Sequence, residues 1–138
     1  MKHRIPVQLR FNDIDILGHL NNTVYFSLYD LGKARYMEDA GLRGKGPGAP
    51  TSVIADVHCT YIHPIHYGDD IYVETRCTEV GEKHFVLEQE MTDGDGDVRS
   101  KCRTVMVYID PATQKSAPLP DAYRERIREY EEKTENPE

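Results

Sequence analysis

Phe11-Asn12-Asp13-Ile14-Asp15-Ile16-Leu17-Gly18-His19-Leu20-Asn21-Asn22-Thr23-Val24-Tyr25 joins two different hydrophobic periods, and the fold can be read outward from it. On its upstream side Val7, Leu9 and Phe11 alternate with Gln8 and Arg10, the period of a half-buried strand over residues 4 to 12. On its downstream side, from Asn22 to about Ala40, the spacing is helical. Tyr25, Tyr29, Gly32 and Tyr36 form one stripe, which Val24, Leu28 and Leu31 widen. Between strand and helix stand two carboxylates, a glycine and a histidine. Asn21 or Asn22 offers a short amide oxygen that can cap the helix. The remaining free N–H groups of the first turn point back toward Asp13, Asp15 and His19. Such a helix end is positive and rich in donors, suited to an anion or a developing oxyanion. A carboxylate beside it is the equipment that acyl transfer needs.

Gly41 is a left-handed stop for the helix. Arg43-Gly44-Lys45-Gly46-Pro47-Gly48-Ala49-Pro50 is then too rich in Gly and Pro for a regular element, and it carries the charges of Arg43 and Lys45. Four alternating runs follow. Val53, Ala55, Val57, Cys59 and Tyr61 make the first; Ile71, Val73 and Cys77 the second; Phe85, Leu87 and Met91 the third; Val98 to Ile109 the last. Asp93-Gly94-Asp95-Gly96-Asp97 is a tight turn between the last two. Asp121 is placed to cap a closing helix on which Tyr123, Ile127 and Tyr130 recur, and the charged stretch from Glu131 to Glu138 is expected to fray. One strand, a long helix and a run of antiparallel hairpins is an α+β order. Few residues of the long helix, among them Asp30, Lys33 and Glu38, are polar, so it is expected to be largely surrounded by protein. Gly32 in its interior costs helix propensity, and close approach of the sheet is the expected compensation.

With 138 residues, positions 1–138 are expected to form one domain around one core. A formal charge of −7 disfavours nucleic acid and anionic membranes as partners. An anionic ligand therefore needs a local basic patch. Arg99, Lys101 and Arg103 share one strand face and are the candidates, although Glu88 and Glu90 are available to pair with them across strands. Cys59, Cys77 and Cys102 have no zinc-binding spacing and read as reduced, packed thiols. His63 and His66 flank Pro64 in an extended stretch and do not share a face, so no metal site is expected there or with His58. No apolar run approaches a membrane span and the N-terminus has no apolar signal core, which points to the cytoplasm.

The pattern Phe11-x-Asp13-x-Asp15-x-x-Gly18-His19-x-Asn21-Asn22-x-x-Tyr25, continuing to Ala34-Arg35, resembles the 4-hydroxybenzoyl-CoA thioesterase family of hotdog-fold acyl-CoA thioesterases. Tyr61-x-x-Pro64-x-x-x-Gly68-Asp69 and Arg103-Thr104-Val105-Met106-Val107, before Asp110-Pro111 and Pro118-Leu119-Pro120, extend the likeness over nearly the whole chain. The resemblance implies an antiparallel sheet of five or slightly more strands wrapped around the long helix of about residues 22–40. It also implies a homodimer or homotetramer with sites at subunit interfaces, and no metal or other cofactor. The implied reaction is hydrolysis of an acyl-CoA to free acid and CoA. Asp15 holds the position that attacks the thioester carbonyl or activates the attacking water. The backbone N–H of Asn22, with that of Thr23, falls where the oxyanion donors lie, and His19 either polarises the thioester or holds the loop. Asp13, Gly18, Asn21, Tyr25 and Tyr61 complete the substrate-binding set with the three basic residues. Of these, Asp13 also reads as a loop anchor, and Gly18 as a special backbone conformation or a close approach. Glu82-Lys83-His84 departs from the small hydroxyl residues that many relatives have there. The rival readings are an acyl-carrier-protein thioesterase, a hotdog hydratase or dehydratase, and a non-catalytic acyl-binding module.

Overall fold

The alternating runs become a single antiparallel sheet in a computed structural model that describes residues 3–43 and 52–135. Its strands are β1 (His3–Val7), β2 (Ser52–Tyr61), β3 (Ile71–Val80), β4 (His84–Asp93) and β5 (Val98–Tyr108), in the spatial order β1-β3-β4-β5-β2. Helix α1 (Asn22–Asp39) lies on one face of this sheet, and α2 (Asp121–Glu135) packs at the far end of α1. This is the hotdog arrangement expected from the sequence.

The stripe Tyr25, Tyr29, Gly32 and Tyr36 is the buried side of α1. Near the helix start, Tyr25 and Tyr29 pack with Leu20, Ile65, Val73 and Met91; near its end, Tyr36 packs with Phe85, Leu87, Tyr123 and Ile127. Gly32 lies where helix and sheet come closest. A Cβ there would stand 2.5 Å from Val73 Cγ1 and 2.8 Å from Gln89 Nε2. The Gln89 amide donates to Tyr29 O and to Thr75 Oγ1, both at 3.0 Å, and cannot retreat without losing these bonds. In an open helix Gly→Ala would gain about 1 kcal/mol. Here Gly32→Ala is expected instead to lower stability by roughly 1–3 kcal/mol, the usual cost of overpacking. A urea midpoint above that of the wild type would show that the helix does not sit this close.

Several expectations are corrected. The first strand ends at Val7 rather than residue 12, because its partner β3 begins at Ile71, opposite Val7, and Phe11–Asp13 then form a single 3₁₀ turn tied to Arg10. Helix α1 is not surrounded by its own chain: Phe26 and Leu31 are 40% and 42% exposed. Lys33 is buried, its ammonium bonded to Thr104 Oγ1 at 3.1 Å and paired with Asp30 at 3.3 Å. Asp121 is the first residue of α2 itself, and the carbonyl of Pro120 accepts from Tyr123 and Arg124. The helix continues to Glu135 instead of fraying from Glu131, whose carboxylate takes the Tyr36 hydroxyl and the Cys77 N–H. Of the Gly/Pro-rich loop, residues 44–50 lie outside the described residues, while Arg43 bonds Glu38 at 3.0 Å.

Candidate active site

The loop between β1 and α1 is anchored through Asp13. Its carboxylate accepts the Arg10 N–H at 2.9 Å and Arg10 Nη2 at 2.9 Å, while its own N–H donates to Arg10 O and its carbonyl accepts from Asn21 N at 2.8 Å. The hydrogen bonds from Arg10 hold the Asp13 carboxyl below the usual carboxylate range, outweighing the opposite push of burial. Both ends of the loop thus meet at one buried acid, and its carboxylate is committed to Arg10.

Asp15 is held differently. Its N–H donates to His19 O at 2.8 Å and its carbonyl accepts from Gly18 N at 3.0 Å, closing a tight turn. Its Oδ1 accepts the N–H groups of Leu17 at 2.9 Å and His19 at 3.2 Å. Among the described residues Oδ2 has no hydrogen-bond partner, so one oxygen orients the carboxylate and the other is left for chemistry. Gly18 has φ of +83° and open space around its missing Cβ. Conformation and not close approach is therefore what requires glycine at this position.

Asn21 caps α1, its Oδ1 accepting from Thr23 N and from Thr23 Oγ1, both at 3.0 Å, while its carbonyl accepts from Val24 N at 2.9 Å. The Thr23 N–H is therefore used by the cap, which corrects its expected role as an oxyanion donor. The Asn22 N–H, at the first helical position, has no partner among the described residues. Tyr61 reaches over from β2 to donate to Asn22 O at 3.2 Å and stacks edge-on against Tyr25, with ring centroids 4.8 Å apart. The His19 ring meets that of His66 edge-on at 5.2 Å, beside the turn in which Asp69 accepts the His66 N–H.

The expected three-residue basic patch does not form. Ser100 and Thr104 face α1, bonded to Tyr29 and Lys33, so Lys101 and Arg103 between and beside them point to the opposite face of the sheet. There the register sets Lys101 against Glu90 and Arg103 against Glu88, in a groove of about 220 Å³ that His58 and Arg76 also line. Arg99 is neutralised at the sheet end. Its guanidinium bonds Asp69 at 2.9 Å, Asp93 at 3.0 Å, Asp97 at 3.2 Å and Pro64 O at 2.8 Å.

The model of the thioesterase-like superfamily matches residues 9–127, which takes in the loop, α1 and the whole sheet beyond it. The chain belongs to the thioesterase-like superfamily. Among solved structures, a thioesterase from Thermus thermophilus complexed with coenzyme A and Zn is 33% identical. It superposes with a TM-score of 0.82 over 94% of each chain. A 4-hydroxybenzoyl-CoA thioesterase variant bound to 4-hydroxybenzoyl-CoA has a TM-score of 0.77 over 90% of this chain and 96% of that one; at 17% identity it bears on the fold alone. The uncharacterized Bacillus subtilis protein YsmA is 21% identical over 121 residues, 88% of this chain and 82% of that protein.

In this superfamily member Arg99 ties the loop behind His66 to the turn between β4 and β5. Burial pushes the Asp69 carboxyl up, but the His66 N–H and the Arg99 guanidinium outweigh it and hold Asp69 below the usual range. Asp93 is also held low, first by the Asp97 N–H and then by Arg99. A carboxylate with a depressed folded value stabilises the fold above its unfolded pKa of about 3.9, and that contribution is lost as pH falls through the folded value. Arg99→Ala is accordingly expected to cost about 1.5–3 kcal/mol at pH 7, the range for hydrogen bonds to charged groups. The difference from wild type should shrink once the carboxylates are protonated. Urea midpoints at pH 7 and pH 3 check this; equal stability at pH 7 would remove the linking role of Arg99.

Proposed function

We propose that this protein is an acyl-CoA thioesterase close to the 4-hydroxybenzoyl-CoA thioesterase family, with Asp15 as nucleophile or general base. The observation that carries the reading is the pairing of two unspent groups across one loop: Asp15 Oδ2 and the N–H of Asn22. In the proposed reaction the thioester carbonyl oxygen docks at the Asn22 N–H, where the helix end stabilises negative charge. Asp15 then attacks the carbonyl carbon, expelling CoA thiolate and leaving a mixed anhydride that water hydrolyses, or it takes a proton from water that attacks directly. Either route ends in free acid and CoA. His19 in this reading polarises the thioester or holds the turn. Coenzyme A in the Thermus relative supports the choice of thiol carrier. The test is thiol release from short, medium, long-chain and aromatic acyl-CoAs. Absence of release from all of them would move the assignment to a carrier-protein substrate, a hydratase or an acyl-binding module.

The proposal includes a homodimer or a tetramer built from it. Strand β2 is an edge strand of ten residues whose outer side is unpaired among the described residues, and Val53 and Ile54 on it are 47% and 45% exposed. Phe26 and Leu31 add apolar surface on α1. Light scattering on a sizing column is expected to return at least twice the 15.8 kDa of one chain, and Ile54→Lys to lower it. Elution of the wild type at the mass of one chain would sink this part of the proposal.

A further inference from the structure

Two of the three cysteines face each other across the sheet. Cys59 on β2 is the register partner of Cys102 on β5. Both thiols lie on the α1 side: Cys59 Sγ is 3.5 Å from Ser100 Oγ and Cys102 Sγ is 3.8 Å from Thr104 Oγ1, the hydroxyls that bond Tyr29 and Lys33 of α1. The ladder defines what kind of pair they form. Ile62 N donates to Arg99 O at 2.9 Å, so Ile62 and Arg99, one step beyond Tyr61 and Ser100, are a hydrogen-bonded pair. Pair types alternate along an antiparallel ladder, and the register runs without a shift from Asp56 to Tyr61. Tyr61–Ser100 is then non-hydrogen-bonded, Thr60–Lys101 hydrogen-bonded, and Cys59–Cys102 non-hydrogen-bonded. In that last type the Cα atoms stand about 4.5 Å apart and the side chains come closest. A disulfide spans Cα separations of roughly 4.4–6.8 Å.

We propose that Cys59 and Cys102 are an oxidation site that closes to a reversible intramolecular disulfide under peroxide. The two thiols differ in the way such a pair requires. Cys59 is the less buried of the two and reacts first with the oxidant; Cys102 is buried directly opposite and resolves the product. Cys59 thiolate attacks one peroxide oxygen, the O–O bond breaks, and the departing hydroxide takes up a proton, leaving a sulfenic acid and one water. Cys102 thiolate then attacks the Cys59 sulfur, the S–O bond breaks, and the departing hydroxide takes up a proton and leaves as a second water. The sulfurs lose two electrons in all and the peroxide gains them. Cys77 is excluded from the pair by its place on β3, opposite Leu87. The bond would fasten the edge strand two residues from Tyr61, the residue that holds Asn22 O. The inference rests on the ladder alone and does not depend on the proposed thioesterase activity.

The test uses the full, reduced chain treated with a few equivalents of hydrogen peroxide, quenched, alkylated and mapped by mass spectrometry. The expected result is loss of two of the three titratable thiols, a mass decrease of about 2 Da for the two hydrogens removed, and a linked peptide pair containing Cys59 and Cys102, all reversed by dithiothreitol. In Cys102→Ser, Cys59 should stop at the sulfenic acid and be trapped by dimedone; in Cys59→Ser, Cys102 and Cys77 should stay free. Three free thiols after treatment would overturn the assignment. So would a link to Cys77, a Cys59–Cys59 link between two chains on a non-reducing gel, or Cys59 passing to the sulfinic acid with Cys102 still free.

Discussion

Asp15→Asn is expected to reduce thiol release from the best acyl-CoA by at least about 10²-fold, the usual contribution of a positioned acid–base group. The substitution is nearly isosteric. The asparagine Oδ1 can keep accepting the N–H groups of Leu17 and His19, so the turn closed by Asp15 N and His19 O has no reason to open. What disappears is the charge and the free oxygen that either attacks carbon or takes a proton from water. Turnover should therefore fall while the melting midpoint and KM stay close to wild type. The contrast with Asp13 sharpens the test. Asp13→Asn weakens the ion pair with Arg10 that holds the start of the loop, while the main-chain bond from Asn21 N stays, so its loss of activity should come with a lower melting midpoint. A folded Asp15→Asn protein with full turnover would remove Asp15 from the chemistry.

The sheet and α1 were legible because their hydrophobic periods of two and 3.6 residues differ, and each run was long enough to show its period. The compensation for Gly32 was legible as well, since a glycine inside a helix needs a reason and only a close neighbour supplies one. The loop was legible in composition but not in the assignment of its hydrogen bonds. Arg10 continues the strand alternation in sequence, yet the strand ends at Val7, opposite the first residue of its partner β3, and where a partner begins is not written in the periodicity of the first strand. The choice between Asn21 and Asn22 as cap decides which N–H remains free, and it depends on the backbone angles at Asn21. Lys33 was legible only as one of the polar residues of the helix; its burial depends on Thr104, 71 residues away, which no local pattern shows. Arg99, Lys101 and Arg103 do share a strand face in the pattern. Asp93 and Asp97 from the adjoining hairpin turn and Asp69 from a second, distant turn take Arg99 out of that set, and no spacing along the chain brings Asp69 to it.

Asn22→Pro tests the other half of the proposed site, the main-chain donor that side-chain substitution cannot reach. Proline removes one N–H and is normally damaging inside a helix, but the first helical position needs no intrahelical N–H and matches the φ that proline fixes. Asn22 is that position, because Asn21 is the cap. The residue before a proline must be extended, and Asn21 already is, with φ −63° and ψ 135°. The cap bonds from Thr23 N and Val24 N do not involve residue 22. The variant is thus expected to keep its fold and melting midpoint while losing about 10²–10³ in turnover, the value of one oxyanion donor. Asn22→Ala, which keeps the N–H, should retain most of the activity. If the proline variant melts normally and turns over like wild type, the oxyanion is stabilised elsewhere and the Asn22 N–H is only a solvated helix end. If both variants lose turnover equally, the side chain of Asn22 carries the role, and the main-chain assignment fails.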